Sequence, residues 1–277
     1  MPLSRGTGAL VEIIDETKVA LYHPVGARRA LAGAVSPPAT LSLINDLMPV
    51  RDQGSSSTCV AQATACVAEY HARKAMNFRN FCSPQFIYNN RSNNNVDNGM
   101  FIGNALDILT KLGTCRETTF SFGSSNMPPD MPAPAVKEAL DFRISSYAAI
   151  PRLTVPNNES ITDLKLALQN NGPAIISFIV YDTNSSTPWI PVSGTTGEGH
   201  AMAVVGYDST GFILRNSWGS SWNGNGYTNY PYTDYVTGYM TGLYTTVDAA
   251  NPDIVYPVDP LPSDVTNSNN CCSCVIA

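Results

Sequence analysis

Past its first 37 residues the chain changes from helical to β-rich character near Pro173, and that change limits the folds open to it. Before it, the run from Thr58 to Lys74 has no Gly or Pro, is rich in Ala and ends on basic residues that complement a helix C-terminus, so it predicts a helix. Spacing and stop signals predict further helices at Ser83 to Asn90, at Gly103 to Leu112 closed by Gly113, and at Ser160 to Asn170 closed by Asn171-Gly172. After Pro173 come β-rich runs beginning at Ala174, His200 and Gly211, the last two joined by the hairpin turn Asp208-Ser209-Thr210-Gly211. Helices followed by strands give an α+β chain with a helical lobe and an antiparallel lobe.

Consecutive prolines at Pro37-Pro38 fix an extended backbone and mark the start of the main body. The expected organisation is an extension over residues 1–37, a body over 38–250 with its helical lobe at about 50–140 and its β lobe at about 141–250, and a tail over 251–277 dominated by Pro, Asp, Ser and Asn. Within the extension, alternating runs at Ala9 to Ile14 and Lys18 to His23 around Asp15-Glu16-Thr17 predict a hairpin.

With 277 residues and 43% hydrophobic content, the chain can bury one large core or two adjoining ones. A net charge of -6 without a basic cluster leaves nothing to neutralise a phosphate backbone, which excludes nucleic acid as an expected partner. The opening residues lack the charged-then-apolar pattern of a secretory signal, and no stretch has the roughly 18 apolar residues of a spanning helix, so the expected location is the cytoplasm. Four cysteines are scattered (Cys59, Cys66, Cys82, Cys115) and three crowd the end (Cys271, Cys272, Cys274), which is not a disulfide framework; Cys82 and Cys115 could pair or stay free.

Cysteine attacks carbonyls as a thiolate, and Cys59 stands at the start of the predicted helix, where Thr58 is a candidate cap and the unsatisfied N–H groups favour an anion. Cys66, two turns deeper, reads as packing. A base for Cys59 has to come from three histidines. His71 lies on the same helix, roughly 18 Å further along its axis at the usual rise, and His23 lies in the extension. His200 remains, and the Asp208 to Gly211 turn returns Asn216 towards it. An amide oxygen there would fix the imidazole tautomer and suit an ion pair between thiolate and imidazolium. Trp218 and Trp222 are placed to shield that hydrogen bond.

These residues resemble those of the papain and cathepsin family of cysteine peptidases, from about residue 40 to 245. Gly199-His200-Ala201 and Asn216-Ser217-Trp218-Gly219, followed by Trp222 and Asn225-Gly226-Tyr227, are similar to the family's histidine and asparagine blocks. Gln53-Gly54-Ser55 ahead of Cys59 resembles the block whose glutamine donates to the oxyanion, a role the resemblance gives to Gln53. It also implies that Asp97-Asn98-Gly99 opens the segment that pairs with an extended substrate, and that Gly99, Met100, Phe101, Ile102, Gly199, Ala201 and Trp218 line substrate pockets. The implied fold has a helical lobe and a β-barrel-like lobe with a cleft between them.

The implied activity is endopeptidase hydrolysis of peptides or proteins through a Cys59 acyl-enzyme, by a monomer with no cofactor and no metal. Val60 stands where the family usually carries an aromatic residue, and Ser56 where many relatives carry a disulfide cysteine. Val60 leaves open a catalytically weak peptide-binding protein; acyl transfer to an amine would use the same residues. Residues 1–37 stand in place of the family's long inhibitory propeptide and are expected to act as a short cap on the cleft, as in a zymogen. Cys274-Val275-Ile276-Ala277 fits a prenylation box, with Cys271 and Cys272 as palmitoylation candidates, which would tether the protein to a membrane.

Overall fold

The structure, a computed structural model, describes residues 5–11, 36–93, 97–123, 131–150 and 158–247. The two halves have the characters read from the sequence. The helical half holds α1 (Cys59–Met76), α2 (Pro84–Asn89), α3 (Ile102–Lys111) and a short α4 (Ala133–Ala139). The other half holds β2 (Ser146–Ala149), α5 (Asn158–Asn171), β3 (Ala174–Val180), β4 (Glu198–Tyr207), β5 (Gly211–Arg215), β6 (Tyr227–Pro231), α6 (Tyr232–Thr237) and β7 (Met240–Val247), while β1 (Leu41–Ser42) adds to the edge of β4.

Helix α1 is the spine. From Cys59 to Glu69 every residue is buried, which Ala at four of those positions permits by letting neighbouring elements approach closely. It packs against β4 on one side and α2 and α3 on the other. Asn77, in the left-handed conformation with φ 56°, ends it, with its N–H on the carbonyls of Ala72 and Arg73. Ser83 caps α2 by accepting from Phe86 N–H, with Pro84 at the first helical position. Neither α4 nor α6 was expected. Both are six or seven residues long and start at a proline, too short for a hydrophobic period to show.

The sheet runs β2-β7-β3-β4-β5-β6 and is antiparallel throughout. It is open, with β2 and β6 as its ends, and does not close into the barrel the resemblance implied. The Asp208 to Gly211 turn forms as predicted: Asp208 N–H donates to Gly211 O at 3.0 Å, and the Asp208 carboxylate accepts from Thr210 N–H at 2.7 Å. Of the expected hairpin in the extension, Ala9 instead bridges Met100 in parallel, and Lys18 to His23 lie outside the described residues. The tail with Cys271, Cys272 and Cys274 also lies outside them. Among the described residues Cys82 and Cys115 are free, buried thiols, no helix is long and apolar enough to cross a membrane, and no group of His, Cys, Asp and Glu could hold a metal ion.

Arg51 joins the two halves. Its guanidinium donates to Glu69 of α1 at 2.7 Å, to the Cys82 carbonyl at 2.6 Å and to Glu117, while its own carbonyl accepts from Gly219 N–H of the β half at 2.9 Å. Removing the cation would strand the buried Glu69 carboxylate without its counter-charge. Arg51→Met is therefore expected to cost about 3–5 kcal/mol, read as a lowered urea midpoint with an unchanged slope.

Candidate active site

The register of the sheet explains how His200 and Asn216 meet. Ala203 pairs with Arg215, so continuing that register sets Asn216 opposite Met202 and makes His200 its diagonal neighbour on the same face. The His200 Nε2–H donates to Asn216 Oδ1 at 2.8 Å, and both residues are buried. Asn216 Oδ1 also accepts from Ser217 N–H at 2.8 Å, which fixes the direction of the amide. Trp218 stacks on the imidazole with ring centroids 4.3 Å apart, and Trp222 packs edge-on against Trp218 at 5.5 Å, so the expected shield is present.

Cys59 opens α1, as expected, and its sulfur faces the backbone N–H groups of Ala201, Val60 and Ala9. Thr58 stands at the cap position, but its side chain does not cap. Its Oγ1 pairs with Ser56 Oγ at 2.7 Å and accepts weakly from Gln62 Nε2 at 3.4 Å. Gln53 is fixed at both ends of its amide, accepting from Ser217 Oγ at 2.5 Å and donating to Ser56 O at 2.7 Å. Its N–H donates to Ser217 O at 2.8 Å, part of an antiparallel bridge between Asp52 and Trp218. Ser217 therefore holds both Gln53 and Asn216. Its role is not legible in the sequence, because a serine between Asn216 and Trp218 carries no signal of its own. His71 is confirmed away from the site, with its Nε2 on Thr246 Oγ1 at 2.8 Å.

Residues 5–11 of the extension lie in the cleft against these groups. Gly6 N–H donates to Gly54 O at 2.8 Å and Gly6 O accepts from the Trp218 indole at 2.8 Å; Gly8 and Ala9 N–H both reach Gly199 O, at 2.7 and 2.8 Å. Met100 N–H donates to Gly8 O at 2.9 Å, and Leu10 N–H to Met100 O at 3.1 Å. Arg5 donates to Trp218 O, and Thr7 to the Glu198 carboxylate. Glycine makes this fit. A Cβ at Gly99 would collide with Gly8 O, one at Gly199 with Ala9 O, and one at Gly8, whose φ is +133°, with Ser57 O. Of the residues implied to line substrate pockets, Gly99, Met100, Gly199 and Trp218 meet this segment directly. Ala201 and Ile102 share a buried cluster with Ala9, and Phe101 precedes α3.

The thiolate–imidazolium pair is not present here. Both side chains are fully buried beneath residues 5–11. Loss of water pushes the Cys59 thiol up to about 12, against the smaller opposing pull of the N–H groups around it. The same desolvation lowers His200 to about 4, only partly offset by the bond to Asn216. His200 Nδ1 has no hydrogen-bond partner among the described residues. Burial outweighs the helix N-terminus, and thiol and imidazole are both neutral.

A family model described as papain family cysteine protease matches residues 42–245. An uncharacterised peptidase C1-like protein of Acanthamoeba polyphaga mimivirus is 27% identical over 226 residues, covering 76% of this chain and 72% of that protein. Falcipain-3 of Plasmodium falciparum is 29% identical over 200 residues, covering 65% of this chain but only 38% of its own length. Among solved structures, xylellain, a cysteine protease from Xylella fastidiosa, superposes with a TM-score of 0.67 at 24% identity, over 88% of this chain and 97% of xylellain, and shares the fold. Taken with the Cys59, His200 and Asn216 arrangement, the match over most of the body means that this chain belongs to the papain family of cysteine proteases.

Proposed function

We propose that the chain is an endopeptidase in which Cys59 is the nucleophile, His200 the general base and acid, Asn216 the group that orients His200, and Gln53 an oxyanion donor, and that residues 5–11 hold it in a capped, inactive form. The observation that carries the reading is the 2.8 Å bond from His200 Nε2 to Asn216 Oδ1 beside the N-terminal turn of α1 that bears Cys59. With water readmitted, the imidazole can accept the thiol proton, the thiolate can add to a substrate carbonyl, and His200 can return the proton to the leaving amine. Gln53 Nε2 would stabilise the oxyanion, a contribution of about 3 kcal/mol where such donors have been removed. Val60 does not favour a non-catalytic reading, since it is wholly buried and serves as packing for α1.

Support for the cap is chemical as well as steric. The group of the extension that meets the Cys59 sulfur is the Ala9 N–H, which offers no electrophile. The segment uses the backbone of Met100 and Gly199 that the family resemblance gives to substrate. A membrane tether through Cys271, Cys272 and Cys274 remains a proposal resting on the terminal sequence pattern alone.

Cap seating is tested with Gly8→Val in the full chain. Losing even about 1.4 kcal/mol of seating shifts the capped population tenfold, so alkylation of Cys59 by iodoacetamide and hydrolysis of a fluorogenic peptide should both rise at least about tenfold. Both should vanish in Cys59→Ala. Labelling of wild type as fast as the variant would remove the cap from the account. The buried histidines make a second, thermodynamic prediction. His200 and His71 are both held neutral, near 4, whereas the unfolded chain protonates them near 6.5, so between those values the unfolded state binds more protons and stability falls as pH falls. Each contributes on the order of 3 kcal/mol across that window. Melting temperature should drop between pH 7 and 4.5, and His71→Gln should remove about half of the drop.

A further inference from the structure

Behind the His200–Asn216 pair, between α1 and the strands β4 and β5, lies a small cavity with about 20 Å³ of room for the centre of a water molecule, lined among others by Arg51, Gln62, Cys66, Arg215 and Asn216. Three polar atoms of these lining residues are buried without a partner among the described residues: the donors Asn216 Nδ2 and Arg51 Nε, and the acceptor Gln62 Oε1. Gln62 and Asn216 are each only 3% exposed. A buried polar atom left unpaired is costly, and three of them around one space large enough for a water define what that space can take. Two N–H groups match the lone pairs of one water, and its two hydrogens match Gln62 Oε1 and the weakly accepting sulfur of Cys66.

Charge excludes an anion in that place. Arg51 and Arg215 are balanced by Glu69 and Glu117, both paired with Arg51, so a chloride would add an uncompensated buried charge. We propose that the cavity is a site for a single water molecule, and that through it Gln62 is a positioning residue for Asn216. Ser217 N–H already holds the oxygen end of the Asn216 amide at 2.8 Å. The water holds the nitrogen end against Gln62, which stands one turn after Cys59 on α1 and whose own Nε2 is steadied by Thr58 Oγ1. The orienter in one half of the molecule is thereby tied to the helix that carries the nucleophile in the other. This rests on the triad reading above.

Two measurements on the full chain test it, neither of which requires turnover. In a crystal structure that resolves solvent, a single water-strength peak is expected within hydrogen-bond distance of Asn216 Nδ2 and Gln62 Oε1; a dry cavity or an ion there would overturn the site. Imidazole nitrogen NMR should show His200 of wild type and Gln62→Glu as one neutral tautomer, protonated on Nε2. Gln62→Met, which keeps the shape and removes the acceptor, should convert it to a mixture of tautomers. An unchanged His200 spectrum in Gln62→Met would overturn the positioning role. Should that variant fail to fold, the wild-type crystal structure decides the site by itself. Failure of the peptidase reading would appear separately, as an unreactive Cys59 in Gly8→Val.

Discussion

The buried guanidinium of Arg51 is the interaction on which the arrangement of the two halves depends. It reaches α1 through Glu69, the loop before α2 through the Cys82 carbonyl, and the segment after α3 through Glu117. Two residues along, the same stretch of backbone pairs with the segment after β5 and delivers Gln53 to Ser217. One cation therefore links the helix that bears Cys59 to the strands that bear His200. A buried charge of this kind is tolerable only with its counter-charges in place, so the docking it permits is one that brings Glu69 and Glu117 to it.

The chemistry depends on water to the same degree that the fold depends on its exclusion. A helix N-terminus favours a thiolate by a modest amount, whereas complete burial penalises it far more. With residues 5–11 seated, the second effect prevails and both titratable partners are neutral. The bond from His200 to Asn216 under Trp218 is already formed in this state. On the proposed reading, hydration at Cys59 is what separates this state from an active one.

Much of this could be read from the sequence, for identifiable reasons. Long helices declare themselves through composition and stop signals, His200 emerges by elimination in a chain of three histidines, and Asn216 is singled out among many asparagines by its position after the Asp208 to Gly211 turn. The β4 to β5 register could not be read, because the turn at Asp208 to Gly211 sets its start while a shift between Val204 and Gly206 alters the pairing beyond it. The cap at Thr58 was misjudged, since its hydroxyl has competing partners in Ser56 and Gln62 that only tertiary structure supplies. Ala9 was read into a hairpin because an alternating run looks the same whether its partner is local or distant. The polar surroundings of Asn216 were equally hidden, being assembled from α1, β5 and the stretch at Arg51.

The glycines that let residues 5–11 lie flush in the cleft have a consequence for how strongly that segment needs to bind. Gly6 and Gly8 contribute no side-chain burial, so as a separate peptide the segment would be a weak ligand. Joined to the body by its own chain, it encounters the cleft at an effective concentration that for short tethers is of order millimolar, whatever the dilution of the protein. A weak seat then suffices to keep the cleft filled, and occupancy is set by connectivity. One cut anywhere between residues 11 and 36 would exchange that local concentration for the bulk one, turning a graded equilibrium into a nearly irreversible release.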